Sequence, residues 1–112
     1  MHELSIAKAL LDLLDGYVQS GSKLQKAVVH AGPLKAIEPA SMDLAWTAAT
    51  MGTGYEGAEL ELTNLPWSLR CSRCEHEWHT ENHDVPCPAC GGGGRIVGGD
   101  EIKLMSIEVQ DT

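Results

Sequence analysis

The sequence predicts an α+β fold: a small three-stranded sheet with two helices, plus an inserted zinc-ribbon module. Two segments show helical apolar periodicity, three read as strands, and all four cysteines fall in one stretch ahead of the last strand. An isolated last strand would leave its backbone groups unpaired, so it is expected to return to the sheet of the first two strands. The boundaries that follow are an α+β domain over 1–67, completed by 99–112, and a zinc-ribbon domain over 68–98.

In chain order, Ile6, Ala7, Leu10, Leu11, Leu14 and Val18 recur at helical spacing, so a helix begins almost at the amino terminus. Gly16 weakens its last turns and Ser20-Gly21-Ser22 ends it. Leu24 to Ala31 reads as a short strand closed by Gly32-Pro33. Glu38-Pro39 starts a second helix, because proline suits the first helical position. Met42, Ala45, Trp46 and Ala49 form its apolar stripe, and Gly52 and Gly54 end it. Ala58 to Thr63 alternates, with Ala58, Leu60 and Leu62 on one face and Glu59, Glu61 and Thr63 on the other. In Glu101 to Gln110, Ile102 and Leu104 hold one phase and Ile107 and Val109 the other, which a bulge near Met105-Ser106 would reconcile.

A chain of 112 residues buries roughly two-thirds of its unfolded surface, so small cores of this kind need staples. The formal net charge of -8 argues against a phosphate-backbone binder, and no nucleic acid is expected as partner. No apolar run reaches the roughly 18 residues of a membrane span, and no basic, signal-like start is visible. The expected compartment is the cytoplasm, where paired cysteines mean metal or redox chemistry more often than disulfides. The glycine-rich stretch Gly91 to Asp100 lacks the lysine and serine of a phosphate loop. No nucleophile or acid–base pair stands out, so the chain reads as a non-enzyme.

Cys71 and Cys74 form one C-x2-C pair, Cys87 and Cys90 a second, with twelve residues between them. Thiolates two residues apart reach one ion from a tight turn, and two such knuckles complete a tetrahedral four-sulfur shell. That shell suits Zn(II) and leaves no open position, so the site is read as structural. The competing reading is a pair of redox dithiols, which two pairs at this spacing disfavour. Glu75, Glu77, Glu81 and Asp84 outnumber Arg70, Arg73 and Arg95 around the insert, which favours protein contact over DNA contact. His76, His79 and His83 are surplus to a four-cysteine site: either solvated polar residues or auxiliary metal ligands.

At the amino terminus, the α-amine of Met1, the His2 amide nitrogen and the His2 imidazole can chelate one ion through fused small rings. Met1 is expected to be retained, because the second residue is large. A deprotonated amide favours planar Ni(II) or Cu(II) over tetrahedral Zn(II). Glu3 adds its backbone nitrogen or orients the histidine. On residue types alone, a frayed terminus is the stronger reading, and what raises the chelate is its combination with the motifs that follow.

The opening MHELSIAKALLDLL, the GPLKAIEPASM segment, the CxxC…CPxCG ribbon and the closing EIKLMSIEV together resemble the HypA/HybF family of hydrogenase nickel-incorporation proteins. The resemblance runs in order along essentially the whole chain. It implies a nickel metallochaperone for [NiFe]-hydrogenase maturation. Its Ni(II) cargo would be held by Met1, His2 and Glu3, and structural Zn(II) by Cys71, Cys74, Cys87 and Cys90. The partners it implies are the GTPase HypB and the hydrogenase large-subunit precursor; some family members serve urease. Glu38 matches a position that some members use as a further nickel ligand, and it equally reads as the N-cap of the Pro39 helix. A homodimer, by exchange of the helix or final strand, is compatible with the chain but not readable from it. The alternative function is a zinc-ribbon adaptor that carries no second metal.

Overall fold

The computed structural model describes residues 2–111, and the fold is α+β. In chain order the elements are α1 (Glu3–Leu14), β1 (Ser22–Ala31), a 3-10 turn (Pro33–Lys35), α2 (Pro39–Thr50), β2 (Glu59–Asn64), β3 (Trp67–Cys71), β4 (Glu77–Thr80), β5 (Gly94–Ile96) and β6 (Ile102–Asp111). They form two three-stranded sheets, ordered β2-β1-β6 and β4-β3-β5. The chain divides into two compact units: Met1–His30, Ile37–Thr63 and Lys103–Thr112 in the first, Ala31–Ala36 and Asn64–Ile102 in the second. Among the described residues no helix is long and apolar enough to cross a membrane.

In the first unit α1 packs on α2. Helix α1 buries Glu3, Ala7, Leu10 and Leu14, about one residue per turn, and α2 answers with Met42, Trp46 and Thr50. Helix α1 stops at Leu14, so Val18 lies beyond it rather than on its apolar stripe. The Val18 amide still donates to the Leu14 carbonyl at 2.8 Å. Gly16 makes a further turn expensive, since glycine is roughly 1 kcal/mol worse than alanine in a helix. The loop after α2 is pinned by the Trp46 indole, which donates to the Ala58 carbonyl at 2.9 Å, and by the Tyr55 hydroxyl, which donates to Asp15 at 2.5 Å.

In β1 the buried residues are Leu24, Ala27, Val29 and Ala31. In β6, Ile102, Leu104 and Ile107 are half-buried. Both strands therefore take one step of three residues where strict alternation gives two, and in β6 it falls where the sequence changes phase.

The second unit holds strands that the sequence reading left inside the cysteine module. Strand β3 pairs antiparallel with β4 and β5, placing Leu69 opposite both Trp78 and Ile96. Leu69, Cys71, Trp78 and Cys87 are the small core of this sheet. These runs are three to five residues long and mix polar with apolar side chains, too short for a period to register. Residues 31–36 join the same unit through backbone pairing. Gly32 donates to the Glu101 carbonyl and Leu34 to the Gly99 carbonyl, each at 2.8 Å. A side chain at Gly32 would place its Cβ 2.3 Å from the Gly99 oxygen, so this close approach requires glycine.

Candidate metal centres

The four cysteines converge. Their sulfurs all lie within 4.8 Å of one another, with Cys71 to Cys90 at 3.4 Å and Cys74 to Cys87 at 3.7 Å. A tetrahedron with metal–sulfur bonds of about 2.3 Å has edges of about 3.8 Å, so the donor set fits Zn²⁺. The two knuckles are built alike. The Cys71 amide donates to the His76 carbonyl at 2.8 Å, and the Cys87 amide to the Gly92 carbonyl at 2.9 Å, the same five-residue span. Both turns end in the left-handed region, at Glu75 with φ 62° and Gly91 with φ 78°. Glycine takes that conformation freely, and glutamate pays roughly 1 kcal/mol for it.

Amides charge the sulfurs. Those of Arg73 and Cys74 reach Cys71 Sγ at 3.4 and 3.5 Å, and that of Ala89 reaches Cys87 Sγ at 3.4 Å. Donation from Cys74 and then Arg73 holds the Cys71 thiol down to about 6. For Cys74 the His76 amide also lowers the value, but the neighbouring Cys90 sulfur, burial and the other cysteines outweigh it and push the thiol up to about 12. Four sulfurs this close cannot all ionise without a cation between them, and a divalent ion supplies it.

The glycine run after the second knuckle also has a physical reason. Beyond Gly91 at the turn, a Cβ on Gly92 would sit 3.2 Å from Cys71 Sγ and 3.3 Å from Cys90 Sγ. A Cβ on Gly94 would sit 2.7 Å from the Trp78 ring, whereas one on Gly93 meets nothing within 4 Å. Gly94→Ala is therefore expected to destabilise the ribbon by about 1–3 kcal/mol through overpacking, and Gly93→Ala by well under that. Urea unfolding followed by Trp fluorescence checks the pair; equal midpoints for both variants would contradict the packing.

The three ribbon histidines have separate contacts, and none joins the four-sulfur set. His76 stacks on Trp78 at 6.1 Å between ring centroids. His79 Nδ1 lies 2.9 Å from Ser68 Oγ. His83 packs against Trp67 at 4.6 Å.

Of the amino-terminal residues, Met1 lies outside the described residues. His2 stands at the N-cap of α1 with no side-chain cap bond, and the first α1 bond recorded runs from the Ile6 amide to the His2 carbonyl at 3.0 Å. The amides of His2 and Glu3 thus lie ahead of the helical ladder. Glu3 is buried, and its carboxylate accepts from the Glu38 amide at 3.3 Å. Glu38 caps α2: its carboxylate accepts from the Ser41 amide at 2.6 Å. Both carboxylates thus face the positive end of the α2 dipole. His2, Glu3 and Glu38 do not form a side-chain cluster with the spacing of the cysteine set.

The Ser41 amide and hydroxyl hold the Glu38 carboxyl below the usual carboxylate range. Its folded value lies below its unfolded one, so its stabilisation is complete above about pH 4.3 and is lost as pH falls through the lowered value. Glu38→Ala is expected to lower the thermal midpoint at pH 7 and to differ less from the parent in strong acid. A gap that is independent of pH would refute the cap.

Comparison with known proteins adds a third line. A sequence-family model described as hydrogenase/urease nickel incorporation, metallochaperone, hypA matches residues 1–109. The hydrogenase maturation factor HypA of Desulfosudis oleivorans is 33% identical over 115 residues, covering 99% of this chain and 100% of that one. That of Cereibacter sphaeroides is 34% identical over 113 residues, covering 98% and 100%. In fold, the solution structure of the Ni metallochaperone HypA from Helicobacter pylori aligns with a TM-score of 0.67 at 22% identity, covering 100% of both chains.

Proposed function

The chain belongs to the HypA family of hydrogenase/urease nickel-incorporation metallochaperones, which are not enzymes, and we propose that it binds Ni²⁺ at its amino terminus and delivers it to a [NiFe]-hydrogenase large-subunit precursor. The observation that carries this reading is the position of His2 and Glu3. They stand at the start of α1, where backbone nitrogens precede the helical ladder, in a chain whose family match begins at residue 1.

The proposed donors are the α-amine of Met1, the amide and imidazole of His2 and the backbone nitrogen of Glu3. Amide nitrogens and imidazole in a plane select Ni²⁺ over Zn²⁺. Glu3 serves as an anchor: its carboxylate is tied to the Glu38 amide, which keeps the start of α1 against the start of α2. Glu38 itself is committed to Ser41, so it becomes a further nickel ligand only by leaving that cap. A terminal site built from backbone nitrogens and one imidazole is easily dismantled by a partner's ligands, as a carrier requires. The four-cysteine site has the opposite character. When bound there, Zn²⁺ supplies folding energy, while Cys71 and Cys87 stay buried and the amides of Arg73, Cys74 and Ala89 hold the sulfurs in place. The proposed setting is the cytoplasm, with HypB as the GTPase partner.

The test is nickel titration of the untagged chain beside a version with residues added ahead of Met1. The extension is expected to abolish amine and amide ligation. Native affinity and stoichiometry in the extended form would refute the terminal site and leave a zinc-ribbon adaptor.

A further inference from the structure

One face of the ribbon sheet carries polar and charged side chains that its core does not use. The alternation along β3 sends Leu69 and Cys71 into the core and Ser68 and Arg70 to the other face. Their cross-strand partners share that face: His79 beside Ser68, Glu77 beside Arg70, and Arg95 on the far side of Arg70. Arg70 spends its charge on Glu77 at 3.0 Å. Arg95 is exposed and, among the described residues, has no anionic partner. Arg95 thus stands directly opposite an arginine whose charge is already matched by Glu77, which leaves Arg95, among the described residues, as the unmatched cation of this face.

The same face runs into a cleft of about 290 Å³ within the second unit, whose lining includes Pro33, Pro66 and Val97 with Ser68, His79 and Glu101. Ser68 and Arg70 are two residues apart, about 6.8 Å along a strand. The cleft thus offers an apolar seat beside one hydrogen-bonding pair, and the arginines follow at the spacing of alternate side chains in an extended chain. Glu101 repels a carboxylate from the cleft end, so an acidic group fits only at the arginine end.

We propose that this face docks an extended acidic segment of a partner protein, with an apolar side chain in the cleft and a carboxylate two residues along on Arg95. In a chain of net charge -8, an uncommitted arginine beside a second one is the complement of an acidic partner rather than of nucleic acid or a second cation. Alternate side chains on one side of an extended peptide are read by such pockets, while the intervening ones face away.

The experiment titrates the zinc-loaded, isotope-labelled full chain with the blocked peptides Ac-LSESE-NH2, Ac-LSKSK-NH2 and Ac-GSESE-NH2 at low ionic strength. Ac-LSESE-NH2 is expected to shift the amides of Ser68, Arg70, His79 and Arg95. It should bind about tenfold tighter than the lysine peptide, tighter than the glycine peptide, and more weakly as salt is raised. Arg95→Glu at unchanged zinc content is expected to remove that preference, and Arg95→Gln to reduce it should the reversal disturb the fold. Equal affinity for the acidic and basic peptides, or shifts confined to other residues, would overturn the proposal. So would concentration-dependent self-association abolished by Arg95→Glu without peptide binding, which would assign the face to a second copy of the chain.

Discussion

Cys71→Ser is expected to remove zinc and unfold the ribbon sheet. Cys71 closes β3, is fully buried, and contributes both a sulfur and a core side chain to the cluster with Leu69, Trp78 and Cys87. That cluster is too small to order the second unit by burial alone. Structural zinc supplies roughly 10–16 kcal/mol of apparent binding free energy, most of it coupled to folding. The variant should hold less than one zinc per chain by mass spectrometry, and the amides of Leu69 and Trp78 should lose hydrogen-exchange protection. Helices α1 and α2 belong to the other unit, so the far-ultraviolet helical signal should persist. Cys90→Ser, at an exposed sulfur, separates the two roles: it should weaken zinc binding with less direct damage to the core. Full zinc occupancy at native affinity in both variants would contradict the four-sulfur site.

The second large effect is expected from His2→Ala, and it should fall on nickel alone. Loss of a supporting contact around a metal site typically lowers affinity about 10–100-fold, so loss of the imidazole itself should exceed about 100-fold. The four cysteines belong to the other unit, so zinc content should match the parent. Isothermal titration with Ni²⁺, beside zinc analysis by mass spectrometry, reads both. Because amine, amide and imidazole must all shed protons, parental nickel affinity should also fall as the solution is acidified. Retention of parental affinity by His2→Ala would return the terminus to an ordinary helix start.

Much of the α+β unit was legible because its elements are long and periodic. The 12-residue helix α2 starts at Pro39 and is capped by Glu38, the two residues whose chemistry announces a helix start. The end of α1 was less legible: apolar spacing continues to Val18, but Gly16 and the turn after Leu14 decide the matter locally. Glu38 illustrates how one residue type supports two roles. Its carboxylate suits both a metal and a cap, and only coordinates place it on the Ser41 amide. The ribbon strands carried no readable period, since three to five residues of mixed polarity are too few to show one, and their order comes from pairing in the β4-β3-β5 sheet.

By itself the sequence determined the two Cys-x-x-Cys pairs, because two residues between thiolates is a covalent spacing that lets each pair reach one ion from a tight turn. It also determined the fold class, through periodicity and order along the chain. Only the tertiary structure decided what depends on distance between residues remote in sequence. It placed Glu3 on the Glu38 amide, Arg95 beside Arg70, and Gly94 against Trp78. Contacts of that kind arise when packing excludes alternatives, and one-dimensional spacing carries no record of which backbones will meet.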